Sequence, residues 1–127
     1  MKRILIFLLL IPFALATHAQ ANGTSLDVKA FKAAVERNDA LLLDVRTPEE
    51  FNAGHIEGAA NIDWNAGTLL KDVSGIDKSL PVLLYCEVGG RSGQAMEAMM
   101  KAGFTDVHDL AGGFSAWQRN GETVITR

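Results

Sequence analysis

Val82-Leu83-Leu84-Tyr85-Cys86-Glu87-Val88-Gly89-Gly90-Arg91-Ser92-Gly93-Gln94-Ala95 contains the change of pattern that decides the fold. Four consecutive apolar or aromatic residues without polar alternation predict a strand over residues 82–85, buried on both faces. The glycine pair ends the strand pattern. From Ser92 onward Ala95, Met96, Met99 and Met100 recur at helical spacing until Gly103. A strand, a tight glycine loop and a helix make one unit of a parallel sheet, where ligands bind beyond the carboxyl ends of the strands. The only cysteine of the chain stands at that end.

Outward from this unit, strands and helices alternate in short pieces. Val28, Phe31 and Val35 predict an amphipathic helix over residues 27–37, with Ser25 or Asp27 as its cap. Residues 40–45 read as a second buried strand closed by Pro48, and a short helix follows from Thr47 until Gly54 stops it. Asn61 and Ile62 suggest a short strand, residues 68–73 a helical turn or two, and residues 107–110 another strand. Gly112-Gly113 opens a last helix that runs through Trp117. This alternation predicts an α/β fold with a mostly parallel sheet covered by helices on both faces. The methionine stripe of residues 96–100 is assigned to the core, which is where soft, adaptable side chains at helical spacing usually lie.

The chain has 127 residues, 48% of them apolar, and a formal charge of −3. That length leaves room for one compact domain and excludes barrel enzymes and two-domain dehydrogenases. An acidic balance without a Lys/Arg block argues against nucleic-acid binding. The apolar fraction is concentrated at the start: Lys2 and Arg3 precede an unbroken apolar run over residues 4–11, then Pro12 and a small, polar exit. This is the layout of a secretory signal peptide over residues 1–21, with cleavage after Ala19 or Ala21. The apolar stretch is too short to span a bilayer. The expectation is an exported, periplasmic or otherwise extracytoplasmic domain over residues 22–127, without stable membrane insertion after cleavage. Loss of Lys2 and Arg3 would take its charge to −5.

A lone cysteine in an exported protein has no internal disulfide partner. Cys86 is then a buried small hydrophobe, an intermolecular bridge or a reactive thiol. Its surroundings favour the last. Gly89 and Gly90 let successive N–H groups turn towards one point, the following helix adds unpaired amides and the positive end of its dipole, and Arg91 sits at the junction. Such a cradle favours an anion at the sulfur.

Three segments resemble the rhodanese family of sulfurtransferases: residues 42–46 with Pro48-Glu49-Glu50-Phe51 and Gly54-His55-Ile56-Glu57-Gly58-Ala59; the loop of Cys86, Gly89, Arg91 and Ser92; and Leu110-Ala111-Gly112-Gly113-Phe114 with Trp117. The resemblance covers essentially all of the chain after the signal. It implies a three-layer fold with a central five-stranded sheet, no cofactor, and a double displacement. In that reaction the Cys86 thiolate takes the outer sulfur of a donor such as thiosulfate, sulfite leaves, and the persulfide passes to cyanide, a small thiol or a protein thiol. Cys86 carries over as nucleophile, and Glu87, Val88, Gly89, Gly90, Arg91 and Ser92 as the binding loop, through their backbone and the Arg91 side chain. Asp44, Arg46, His55, Gly112, Gly113 and Trp117 are assigned to architecture. His18, His55 and His108 show no metal-ligand spacing.

Glu87 departs from a simple thiosulfate site, because the only formal cation of the loop is Arg91. A dianionic donor then gains less, although an outward-pointing Glu87 would be screened by solvent. The expectation is thiosulfate:cyanide activity with weak, salt-sensitive binding. Two other readings remain. A cysteine phosphatase or arsenate reductase would resemble His-Cys-x5-Arg, whereas here four residues separate Cys86 from Arg91 and Tyr85 precedes the cysteine. A non-catalytic or redox-sensing module would use the same activated thiol to form a sulfenic acid or mixed disulfide.

Overall fold

In the computed structural model, residues 22–126 are described; the expected signal peptide lies outside them. Five strands, β1 (Asn22–Leu26), β2 (Leu41–Asp44), β3 (Ala60–Asn61), β4 (Val82–Tyr85) and β5 (Asp106–Leu110), form one sheet in the order β1-β5-β4-β2-β3. Every ladder between them is parallel. Five helices connect or follow them: α1 (Val28–Glu36), α2 (Pro48–Ala53), α3 (Leu69–Asp72), α4 (Gly90–Lys101) and α5 (Gly113–Arg119).

The side-chain alternation of β4 explains the three layers. Leu83 and Tyr85 point into a core with Phe31 of α1, Phe51 of α2 and Phe114 and Trp117 of α5. Val82, Leu84 and the following Cys86 point the other way, into a core with Leu69 of α3 and Ala95 and Met99 of α4. A strand buried on both faces needs no polar alternation, which is why residues 82–85 read as a continuous apolar run. Met99 is fully buried, and Met96 and Met100 pack against the same cluster. Met100 also fills the space where a side chain at Gly23 would stand.

Two expectations change. Ser25 does not cap α1; Asp27 does, accepting the Ala30 amide at 2.8 Å. Ser25 belongs to β1, a strand the sequence pattern does not reveal because Asn22-Gly23-Thr24-Ser25 is polar and lies on the sheet edge. Helix α4 starts at Gly90, two residues before the apolar periodicity begins. Thr47 forms a complete capping box with Glu50 at the start of α2.

Helix α5 fixes the base of the loop after β4. The Phe114 and Ser115 amides, at the start of α5, donate to the carbonyls of Cys86 (2.8 Å) and Glu87 (3.0 Å). The helix approaches so closely that a Cβ at Gly113 would lie 2.5–2.6 Å from these carbonyl groups, and Gly113 has φ +61°. Replacement by alanine therefore meets both backbone strain and a clash with backbone that cannot step aside. Gly113→Ala is expected to cost about 3 kcal/mol or more in denaturant unfolding. Gly121→Ala, at φ +72° with open space around it, is expected to cost about 1 kcal/mol. Equal losses would remove the close approach as the cause.

Candidate active site

Cys86 follows β4 directly and is 1% exposed. Its Sγ accepts the Gly89 amide at 3.1 Å. Gly89 is the N-cap of α4 at φ +117°, a conformation that side-chain-bearing residues avoid, and it turns the chain back over the sulfur. Gly90, in contrast, is ordinary helix, so one glycine rather than two supplies the special backbone. Because α4 begins there, the amides of Gly90, Arg91 and Ser92 have no intrahelical acceptor and belong to the positive end of a twelve-residue helix. Val88 is 69% exposed at the loop tip.

Two ion pairs tie this loop to the segment around α2. Arg91 donates to both carboxylate oxygens of Glu50, at 2.7 and 3.0 Å. Hydrogen bonds from Arg91 hold the Glu50 carboxyl down at about 2, and the same pair raises the Arg91 pKa. Through space, a negative charge at Cys86 or at Asp63 also favours the charged form of Arg91. Glu50 lies in the Pro48-Glu49-Glu50-Phe51 segment that carries the family resemblance, but its pairing with Arg91 is visible only in three dimensions.

The second pair corrects the alternative in which Glu87 points outward. Glu87 accepts from Arg46 at 3.1 Å and from the Ser115 hydroxyl at 3.0 Å. Arg46 is 2% exposed, grips Asp44 through Nε and Nη2, donates to the Gly54 carbonyl at 2.7 Å and lies 4.1 Å from the Phe114 ring centre. Burial works to lower the pKa of this guanidinium, and its bonds to Asp44 more than offset that. Arg46 and Asp44 thus stand behind the loop through Glu87, away from the sulfur.

On the other side of the sulfur lies a polar chain that the sequence pattern missed. The Cys86 thiol donates to the Ser92 hydroxyl at 3.4 Å, Ser92 donates to Asp109 at 2.9 Å, and Asp109 accepts a second hydroxyl from Ser25 at 2.5 Å. Asp109 is 3% exposed. The signal was present in the strand period: Asp109 lies two residues after Val107 in β5 and so shares its buried face.

The remaining residues sit apart from the sulfur. His55 stacks on Phe51 and its Nδ1 meets the Phe51 carbonyl at 2.9 Å. Trp117 packs edge-on against Phe31 and donates to the Thr123 carbonyl. Gly112, at φ +74°, caps α5. Tyr85 presents its hydroxyl to the Ile56 amide, and burial pushes its pKa up. Among the described residues no group of three or more His, Cys, Asp or Glu side chains is placed to hold a metal ion.

A model of the rhodanese-like domain matches residues 27–120. The chain belongs to this family. Over 116 residues it is 37% identical to the uncharacterized protein YqhL of Bacillus subtilis, covering 90% of this chain and 89% of that one. It is 35% identical over 92 residues to the thiosulfate sulfurtransferase GlpE of Shewanella oneidensis, covering 72% and 89%. A crystal structure of a rhodanese-related protein from Thermoplasma volcanium superposes with a TM-score of 0.72 at 24% identity, covering 82% of this chain and 99% of that one. The five-stranded parallel sheet with helices on both faces is therefore a rhodanese-like fold.

The low Glu50 value gives the rhodanese-like loop a defined acid response. A carboxyl whose folded pKa is depressed contributes stability that is complete above its unfolded value, near 4.5, and lost as pH falls through about 2. The Glu50–Arg91 clamp therefore stays ionised at pH 4. Carboxyl NMR is expected to show Glu50 titrating near 2 in the parent protein and returning to the ordinary carboxylate range in Arg91→Ala. A Glu50 midpoint that Arg91→Ala leaves in place would refute the pairing.

Proposed function

We propose that this protein is a sulfurtransferase that carries sulfane sulfur as a Cys86 persulfide between a donor and a thiol or cyanide acceptor. The observation that carries the reading is the Gly89 amide on the Cys86 sulfur, 3.1 Å away, at the start of a loop that closes over it. In the first half-reaction the Cys86 thiolate attacks the outer sulfur of the donor. With thiosulfate, the donor S–S bond breaks and sulfite leaves with the electron pair. In the second, an acceptor thiolate or cyanide attacks the terminal sulfur of the persulfide, and Cys86 leaves as thiolate. The terminal sulfur carries the negative charge of the intermediate, and the unpaired first-turn amides of α4 suit it. The thiosulfate sulfurtransferases among the relatives support the same chemistry. We extend the proposal to export, on the charged, apolar and small-residue succession of residues 1–21.

The loop lacks a free cation. Arg91 is engaged by Glu50 and Arg46 by Asp44 and Glu87, so a thiosulfate dianion is attracted mainly by backbone amides. Weak thiosulfate binding follows. An open cavity of about 360 Å³, lined by Arg46, Glu50, Glu87, Phe114 and Gln118, borders the Glu87 end of the loop.

Intact mass after incubation with thiosulfate is expected to rise by one sulfur atom in the parent protein and to stay constant in Cys86→Ser. No adduct from any sulfane donor would leave the redox-sensing reading in its place. Val88→Lys adds a cation at the exposed loop tip without breaking either ion pair. It is expected to lower the thiosulfate KM about fivefold at low ionic strength, the size of a 1 kcal/mol surface interaction. That gain should vanish towards 1 M salt, where screening acts within about 3 Å. An unchanged KM would remove the electrostatic account of weak binding.

A further inference from the structure

The buried Asp109 has no part in the sulfur chemistry as described, yet it stands one hydroxyl away from the nucleophile. Ser92 has a single hydroxyl proton and three acceptors around its oxygen: Asp109 at 2.9 Å, the Gly89 carbonyl at 3.3 Å and the Cys86 sulfur at 3.4 Å. The carboxylate is the nearest and the strongest, since hydrogen bonds to ionised acceptors are about twice as strong as neutral ones. Ser92 therefore gives its proton to Asp109 and turns a lone pair towards Cys86. A protonated thiol fits that arrangement as a donor, and a thiolate does not.

We propose that Asp109 is a positioning residue that acts through the Ser92 proton to destabilise the Cys86 thiolate relative to the Cys86 persulfide. When Cys86 ionises, its proton leaves to solvent and Sγ becomes an acceptor. The Ser92 hydroxyl must then swing to the sulfur, leaving Asp109 with Ser25 alone, or stay and set an oxygen lone pair against the new charge. In the persulfide the negative charge lies on the outer sulfur, one bond further from Ser92, and Sγ is neutral. The Ser92–Asp109 bond is then undisturbed. Sulfur uptake forms the Sγ–S bond and breaks the donor bond, so it relieves the conflict. Discharge breaks the Sγ–S bond, returns the electron pair to Sγ and restores it.

The charged groups that bear on this sulfur come from several elements. Arg91 of α4 acts on it through space, as it does on Asp63, and is bonded to Glu50 of α2. Asp109 of β5 reaches it through Ser92. Asp44 and Arg46, at the end of β2, are bonded to each other, and Glu87 is held by Arg46 and Ser115. Asp109 is thus the buried anion on the sulfur's own side of the sheet.

The test is the pH dependence of Cys86 alkylation by iodoacetamide, which needs no sulfur donor. Asp109→Asn keeps the shape and removes the charge, and is expected to move the alkylation midpoint down by about one pH unit, the lower end of a close charge effect. Ser25→Ala, on β1 and remote from the sulfur, leaves Asp109 with Ser92 as its remaining donor. That tightens its hold on the shared proton, so the midpoint should move up. Opposite shifts are what a merely structural role would not produce. Midpoints that coincide with the parent in both folded variants, or that move together, would overturn the proposal. Should Asp109→Asn fail to fold, Ser25→Ala alone still decides by the direction of its shift.

The kinetic consequence rests on the sulfur-transfer reading. In Asp109→Asn, discharge of preformed persulfide to a small thiol is expected to be several-fold faster, because the leaving thiolate is less disfavoured. An unchanged discharge rate would overturn that part. If no persulfide forms at all, the sulfur-transfer reading fails while the alkylation profiles still judge Asp109.

Discussion

The side chain of Arg46 ties together four separate parts of the molecule at the carboxyl end of the sheet. It bonds Asp44 at the end of β2, the carbonyl of Gly54 after α2 and the carboxylate of Glu87 after Cys86, and it lies over Phe114 at the start of α5. A buried guanidinium is costly unless its donors are matched and its charge is balanced, and loss of one partner from such a pair is severely destabilising. Here the matching groups come from four places in the sequence, so the cost of burying the charge is offset only once all four are assembled. The carbonyl end of the sheet is therefore ordered as a unit.

The two ion pairs that fix the loop share a geometry. Arg46 meets Glu87 and Glu50 meets Arg91, each across 41 positions in the chain, and the polarity is reversed between them. One short segment around α2 thus grips both ends of the loop with opposite charges. This arrangement uses both nearby guanidinium groups internally. The attraction for an anion at Cys86 is left to backbone amides, the helix end and the part of Arg91 that is not neutralised, against Asp109 and an acidic protein of net charge −3.

Much of the fold was legible in the sequence because its central strands are buried on both faces. Residues 41–44 and 82–85 stand out as apolar runs, and Thr47-Pro48 and Gly103 mark helix ends by their own chemistry. The position of Cys86 was legible for the same reason, since the strand leads straight into it. Strand β1 was not, because an edge strand of polar residues carries no burial signal of its own and exists through its register with β5. Glu50, Asp109 and Ser25 were not read as parts of the site because each acts through a contact with a residue distant in the chain. The direction of Glu87 was equally hidden, since it depends on Arg46 reaching through from β2.

Anchoring at residues 87 and 91 leaves three residues, Val88, Gly89 and Gly90, between the two fixed points. A free segment of this kind would lose about 1–2 kcal/mol of backbone entropy per residue each time it gathered around a ligand. Here that ordering is completed when the domain folds, and the Gly89 amide is aimed at the sulfur before any ligand arrives. The loop therefore resembles a rigid mould, with little reorganisation left for any step that builds charge at its centre.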